Sequence, residues 1–95
     1  MSFTSKSSFK DWQVKQSQDP EFVAESLELE LGYQITRLRI QRGLTQSELA
    51  ERVGVRPTSI ARLENGNSDP NLSYLQRVAT ALDAQIQLHI VPLKQ

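Results

Sequence analysis

The 95-residue chain has no cysteine and a single histidine, His89. Disulfide frameworks, thiolate metal sites and cysteine nucleophiles are thereby excluded together, and metal chemistry is left with few ligands. Neither charge sign is in excess, because eleven Lys and Arg face eleven Asp and Glu. A protein that coats nucleic acid or membrane through net charge alone is excluded. Long apolar runs are missing as well: nothing approaches the roughly 20 residues a spanning helix needs. The opening MSFTSKSSFKDW also lacks the apolar stretch of a signal peptide. The four glycines, four prolines and 38% hydrophobic residues suit a globular chain with material for one small domain and a tail. The expectation is a soluble, cytoplasmic protein with no membrane role, no metal and no cofactor.

Neutrality is a cancellation between segments of opposite sign. Residues 1–32 carry three lysines against six acids, a net of −3, whereas residues 33–66 carry six arginines against three glutamates, a net of +3. The basic segment has no lysine. Arginine alone favours planar, forked recognition of phosphates or guanine edges. Pairing of surface arginines with local Glu is the competing account, and charge by itself does not choose between them.

Three regions are expected. Residues 1–18 are rich in Ser, Lys and Gln, carry Phe3, Phe9 and Trp12 without a sustained period, and read as a flexible arm. Residues 19–82 read as a helical domain. Asp19-Pro20-Glu21 opens its first helix. Phe22, Val23, Leu27, Leu31, Ile35 and Leu38 then recur at steps of about three to four, with Gly32 a possible break. Gly43 closes this helix. Thr45 and Glu48 form a capping box that starts a short second helix with Leu49, Ala50 and Val53 inward, and Gly54 ends it. Pro57 begins a third helix, with Ile60 and Leu63 inward, which stops at Asn65-Gly66. A fourth follows the turn-rich Asn67–Asn71 loop, with Leu72, Leu75, Val78, Ala79 and Leu82 on one face. Residues 83–95 are expected to be a strand and tail. Gln85-Ile86-Gln87-Leu88-His89-Ile90 alternates polar and apolar, as a half-buried strand does. A lone strand needs a partner, and the simplest is its own copy across a two-fold axis, a homodimer held by Ile86, Leu88 and Ile90. A sheet edge on a different protein is the alternative. His89 shares the polar phase with Gln85 and Gln87 and is read as exposed.

Two short helices joined by a glycine turn form a helix-turn-helix over residues 45–65, one helix crossing the DNA backbone and the next entering the major groove. Through Leu44-Thr45-Gln46-Ser47-Glu48-Leu49-Ala50, Val53-Gly54-Val55 and Ile60-Ala61-Arg62-Leu63-Glu64-Asn65-Gly66, the chain from about Ile35 to Leu82 resembles the phage-repressor (Cro and cI type, XRE) family. The resemblance implies a mostly α, lambda-repressor-like domain of four to five helices. It also implies roles: Gln46 binds a phosphate and braces the reading side chains, and Arg56, Thr58, Ser59 and Arg62 touch base edges and adjacent phosphates. Asn65 contacts the backbone, and Arg39 pairs with Glu64 inside the domain. Independently, Thr58 and Arg62 lie four apart and share a face opposite Ile60 and Leu63. Arg62 then either forks onto guanine O6 and N7 or clamps a phosphate. One departure stands out. Many relatives have Gln where this chain has Pro57 and Ser or Thr where it has Arg56, so direct adenine reading by that Gln is lost and the cap is weaker by about 1 kcal/mol.

The flanks extend the resemblance. An acidic helical arm before the motif and Ala84–Leu88 after it look like antitoxins of HigA type, and the terminal segment also resembles the dimerising strand of HipB-type antitoxins. That resemblance implies a homodimeric repressor of its own operon, bound to a palindromic double-stranded DNA operator, whose arm covers a small basic toxin of the RelE/HigB fold. A stand-alone XRE-type regulator is the alternative. Phe9, Trp12 and Phe22 are candidate aromatic anchors for the toxin; Trp12 folding back on its own bundle is the competing reading. No base is placed beside any serine, so catalysis is not expected.

Overall fold

A computed structural model describes residues 19–93. These residues form four helices: α1 (Pro20–Gln41), α2 (Gln46–Val53), α3 (Pro57–Glu64) and α4 (Leu72–Ala81). The expected arm over residues 1–18, with Phe9 and Trp12, lies outside the described residues.

Local chemistry sets the boundaries. The Asp19 carboxylate accepts from the backbone N–H groups of Glu21 (3.1 Å) and Phe22 (3.3 Å), with Pro20 at the first helical position. At α2 the Glu48 N–H donates to Thr45 Oγ1 (3.0 Å) while the Thr45 N–H donates to Glu48 Oε1 (2.8 Å), a closed capping box. Gly54 then ends α2 at φ 88°, in the left-handed region that a side chain disfavours. Pro57 opens α3, and Arg56 before it makes no side-chain cap. The Asn71 side chain accepts from the Tyr74 N–H (2.7 Å) at the start of α4.

The core is made by Ile35 from α1, Leu49, Ala50 and Val53 from α2, Ile60 and Leu63 from α3, and Val78 and Leu82 at α4 and its end. Leu49 and Ile60 are completely covered, each worth roughly 1.5–3 kcal/mol of burial. Coverage of α1 is incomplete, because its 22 residues extend about 33 Å while helices of 8–10 residues extend about 12–15 Å. Leu27 is therefore 56% exposed, and Phe22, Val23, Leu31 and Leu38 are half-buried. Leu72, expected on the buried face of α4, is 46% exposed in its first turn.

Gly32 does not break α1, which runs through it. Its function is close approach. A Cβ at Gly32 overlaps the Glu64 carbonyl oxygen and lies 2.9 Å from that of Leu63, so α1 and the end of α3 meet backbone to backbone.

The expected C-terminal strand is absent: residues 84–93 have no regular structure. The alternating pattern is present, but a ladder needs a second strand, and none of the described residues supplies one. The half-buried alternation also fails. Ile86 is partly covered, whereas Leu88 is 69% and Ile90 99% exposed. The fold is thus mostly α with an irregular terminal segment. Arg42 fixes where that segment leaves the bundle, its Nε donating to the Leu82 carbonyl (2.8 Å) and its Nη2 to that of Asp83 (3.2 Å).

Candidate nucleic-acid interface

The geometry of the α2–α3 pair comes from its two glycine and proline signals. The Gly54 N–H and Val55 N–H both donate to the Ala50 carbonyl, at 2.8 and 3.0 Å, which reverses the chain within three residues. Pro57 then starts α3 with Ile60 and Leu63 locked in the core. Helical period leaves Arg56, Thr58, Arg62 and Asn65 exposed, with Ser59 half-buried beside them. Five of the six side chains assigned to DNA are therefore gathered along α3 and its two ends.

Gln46 stands apart from those five. It is half-buried at the start of α2, and its Nε2 donates to Glu64 Oε1 at 3.0 Å. Glu64 is the centre of a network that joins three helices. Arg39 of α1 reaches it through Nε to Oε2 (2.7 Å) and Nη2 to Oε1 (3.2 Å), and sends Nη1 to the Leu44 carbonyl at 2.9 Å. The two side chains are 15% and 4% exposed. Burial alone pushes the Glu64 carboxyl up; hydrogen bonds from Arg39, Gln46 and Thr36, with the charge of Arg39, outweigh that and hold it below its ordinary value. The pair therefore ties α1 to the end of α3, beside the contact at Gly32.

The remaining candidates do not join this surface. Ile86, Leu88 and Ile90 lie on the terminal segment, and Phe22 is half-buried in the first turn of α1. Among the described residues, no group of three or more His, Asp and Glu is placed to hold a metal, and no helix is long and apolar enough to cross a membrane.

Sequence reasoning missed Arg42, counted only as charge, and missed Ser68, Tyr74 and Arg77, which line a cavity with Arg62. Tyr74 carried one readable signal, a polar ring inside an apolar stripe. Burial raises its phenol, an effect the nearby Arg77 charge partly opposes.

Residues 35–88 match the HTH_3 family, described as helix-turn-helix. Over 51 residues the chain is 49% identical to antitoxin HigA1 of Mycobacterium tuberculosis, a match spanning 54% of this chain and 34% of that relative. The chain thus spans only about a third of the relative's length. Among solved structures, the clp gene regulator ClgR from C. glutamicum superposes with a TM-score of 0.62 at 33% identity, over 63% of this chain and 77% of that one. A chain of the HipA-HipB-O2-O3 complex superposes at 0.59 with 26% identity, over 68% and 92%. With the family match covering more than half its length and the helix pair formed as described, the chain belongs to the HTH_3 family of XRE-type helix-turn-helix domains.

Proposed function

We propose that the chain is a DNA-binding transcriptional repressor that works as a homodimer and serves as the antitoxin of a toxin–antitoxin pair. One observation carries the DNA reading: α3 is anchored by Ile60 and Leu63 and presents Arg56, Thr58 and Arg62 together to solvent. A helix so held offers side chains to base edges with little freedom left to lose on docking. Gln46 braces it from α2 through Glu64, and Asn65 contacts the DNA backbone. The apolar Ile86, Leu88 and Ile90 of the terminal segment meet their copies in the partner protomer, so that two recognition helices address half-sites roughly 34 Å apart on a palindrome.

The antitoxin reading is supported by the identity to HigA1, the likeness to a chain of the HipA-HipB complex and the row of Glu21, Glu25, Glu28 and Glu30 along the first half of α1. An acidic, partly uncovered helix complements a small basic partner. Phe9 and Trp12, with Phe22, are the proposed anchors. The likeness to ClgR favours a second reading, a regulator with no toxin.

Co-expression of the tagged chain with the small open reading frame beside its gene tests the first against the second. A stable complex with a basic protein, lost on deleting residues 1–32, supports the antitoxin; a homodimer that binds DNA with no companion supports the stand-alone regulator.

A further inference from the structure

Between α1, α4 and the terminal segment lies an apolar groove of about 370 Å³. Leu27, Leu31 and Leu38 of α1 and Leu75 of α4 line it, with Ala84 and Ile86 contributed from beyond α4. Among the described residues no charged side chain lines it, so it offers nothing to an anion and suits an apolar occupant. Leu27 is left 56% exposed there. The helix that carries this stripe is acidic. Asp19, Glu21, Glu25, Glu28 and Glu30 precede its first base, Arg37, and at about 3.6 residues per turn Glu28 and Glu30 stand on either flank of Leu27 and Leu31. The net charge of −3 over residues 1–32 divides again at Asp19. Residues 1–18 hold Lys6, Lys10 and Lys15 against Asp11, a net of +2, whereas residues 19–32 hold five acids and no base, a net of −5. The basic piece is also the one that carries Phe9 and Trp12.

We infer that the groove is filled by the chain's own N-terminal arm, with Phe9 and Trp12 in the groove and Lys10 and Lys15 beside the glutamates that flank it. Reach permits this. Trp12 precedes Asp19 by seven residues, a span of up to about 23 Å, while Leu31 lies about 18 Å along α1 from Asp19. Phe9, ten residues before Asp19, spans up to about 33 Å, enough to reach Leu38 at about 28 Å. A short tether also gives the arm a millimolar effective concentration at the groove. A second copy is the weaker occupant, because bringing another α1 to this face sets two acidic rows against each other. Docking in cis requires neither the toxin nor the dimer proposed above. It does change what a partner meets: Phe9 and Trp12 are already covered in the free chain, and a protein that anchors on them must first draw the arm out.

Trp12 is the chain's one tryptophan, so its fluorescence follows the arm without a label. The test compares the full-length wild type, Leu27→Lys and the double variant Lys10→Glu, Lys15→Glu, each free of any partner and checked for fold by circular dichroism. Wild-type emission is expected to be blue-shifted from that of the urea-unfolded chain and protected from acrylamide. Leu27→Lys, at a half-exposed position outside the core, is expected to weaken docking about tenfold, moving the emission to the red and raising the quenching while the helical signal stays. The charge-reversed arm is expected to do the same, and high salt to loosen the wild-type arm. A wild-type Trp12 as red and as quenchable as in the unfolded chain overturns the proposal. A blue emission that survives Leu27→Lys overturns it too, since Trp12 is then covered elsewhere. Dilution separates the occupants: an unchanged spectrum from micromolar to nanomolar protein supports the chain's own arm, and one that reddens on dilution assigns the groove to a second copy's arm and overturns docking in cis. Failure of the antitoxin reading shows in co-expression and leaves these spectra as they are.

Discussion

A single carboxylate, Glu64, carries more of the architecture than any exposed residue of the recognition helix. It accepts from Arg39 and Gln46, and its side chain is 4% exposed. Its folded-state carboxyl is held below the ordinary 4.5, so the stability it contributes is full above that value and is lost as pH falls through the lower folded value. Thermal melts from pH 7 to pH 3 are expected to show that decline. Glu64→Gln should flatten it and lower stability at pH 7 by about 3 kcal/mol, since Arg39 then stays buried without its counter-charge. A variant that melts like wild type at pH 7 refutes the role. Thr58 belongs to the same scale but to function. Thr58→Ala is expected to reduce the affinity ratio between a duplex selected from a random pool by the wild-type protein and an unselected duplex of the same length about fivefold, for one lost base contact of about 1 kcal/mol, with the salt slope unchanged.

Among the elements, the junction of α1 with the end of α3 is the least tolerant. Gly32 is needed there because the Glu64 and Leu63 carbonyls leave no space for a Cβ. Gly32→Ala is expected to cost about 2 kcal/mol by overpacking, even though alanine is the better helix former by about 1 kcal/mol. Urea denaturation decides it, since a stabilised variant would mean that the two backbones are not in contact. Helix limits were legible from sequence because caps are local: Asp19, Thr45 with Glu48, Gly54 and Pro57 each act within four residues of themselves. Gly32 was not legible. A glycine inside a helical pattern has the same appearance whether it bends the helix or admits a neighbour, and the neighbour here is 32 residues away in the chain.

For the whole molecule, the open question is what covers Leu88, Ile90, Val91 and Leu93, which are between 69% and 99% exposed. The proposed answer is a second copy. Leu88→Lys is then expected to shift the dimer to monomer in light scattering at micromolar protein and to weaken operator binding at least tenfold, while the melting temperature of the helical domain changes little. A dimer that persists through this substitution places the interface elsewhere. The alternating pattern of residues 85–90 led to the expectation of a strand, and two of its three apolar residues, Leu88 and Ile90, are exposed in one chain while Ile86 is partly covered. Alternation reports which side chains seek cover, not whether a partner for the backbone exists.

The amino-acid order was sufficient to determine the helices, the turn at Gly54, the core of Leu49, Ile60 and Leu63, and the face that α3 shows to solvent, since each depends on residues a few positions apart. Tertiary structure alone decided the rest. It set Gly32 against the end of α3 and placed Arg77 and Tyr74 beside Arg62 around a common cavity; the Arg39–Glu64 pair across 25 residues, expected through the family resemblance and not from local spacing, likewise closes only when α1 and α3 pack. It also left residues 84–93 without a strand. These are relations between distant segments, and they exist only once the helices have packed, because no local pattern encodes which surfaces will meet.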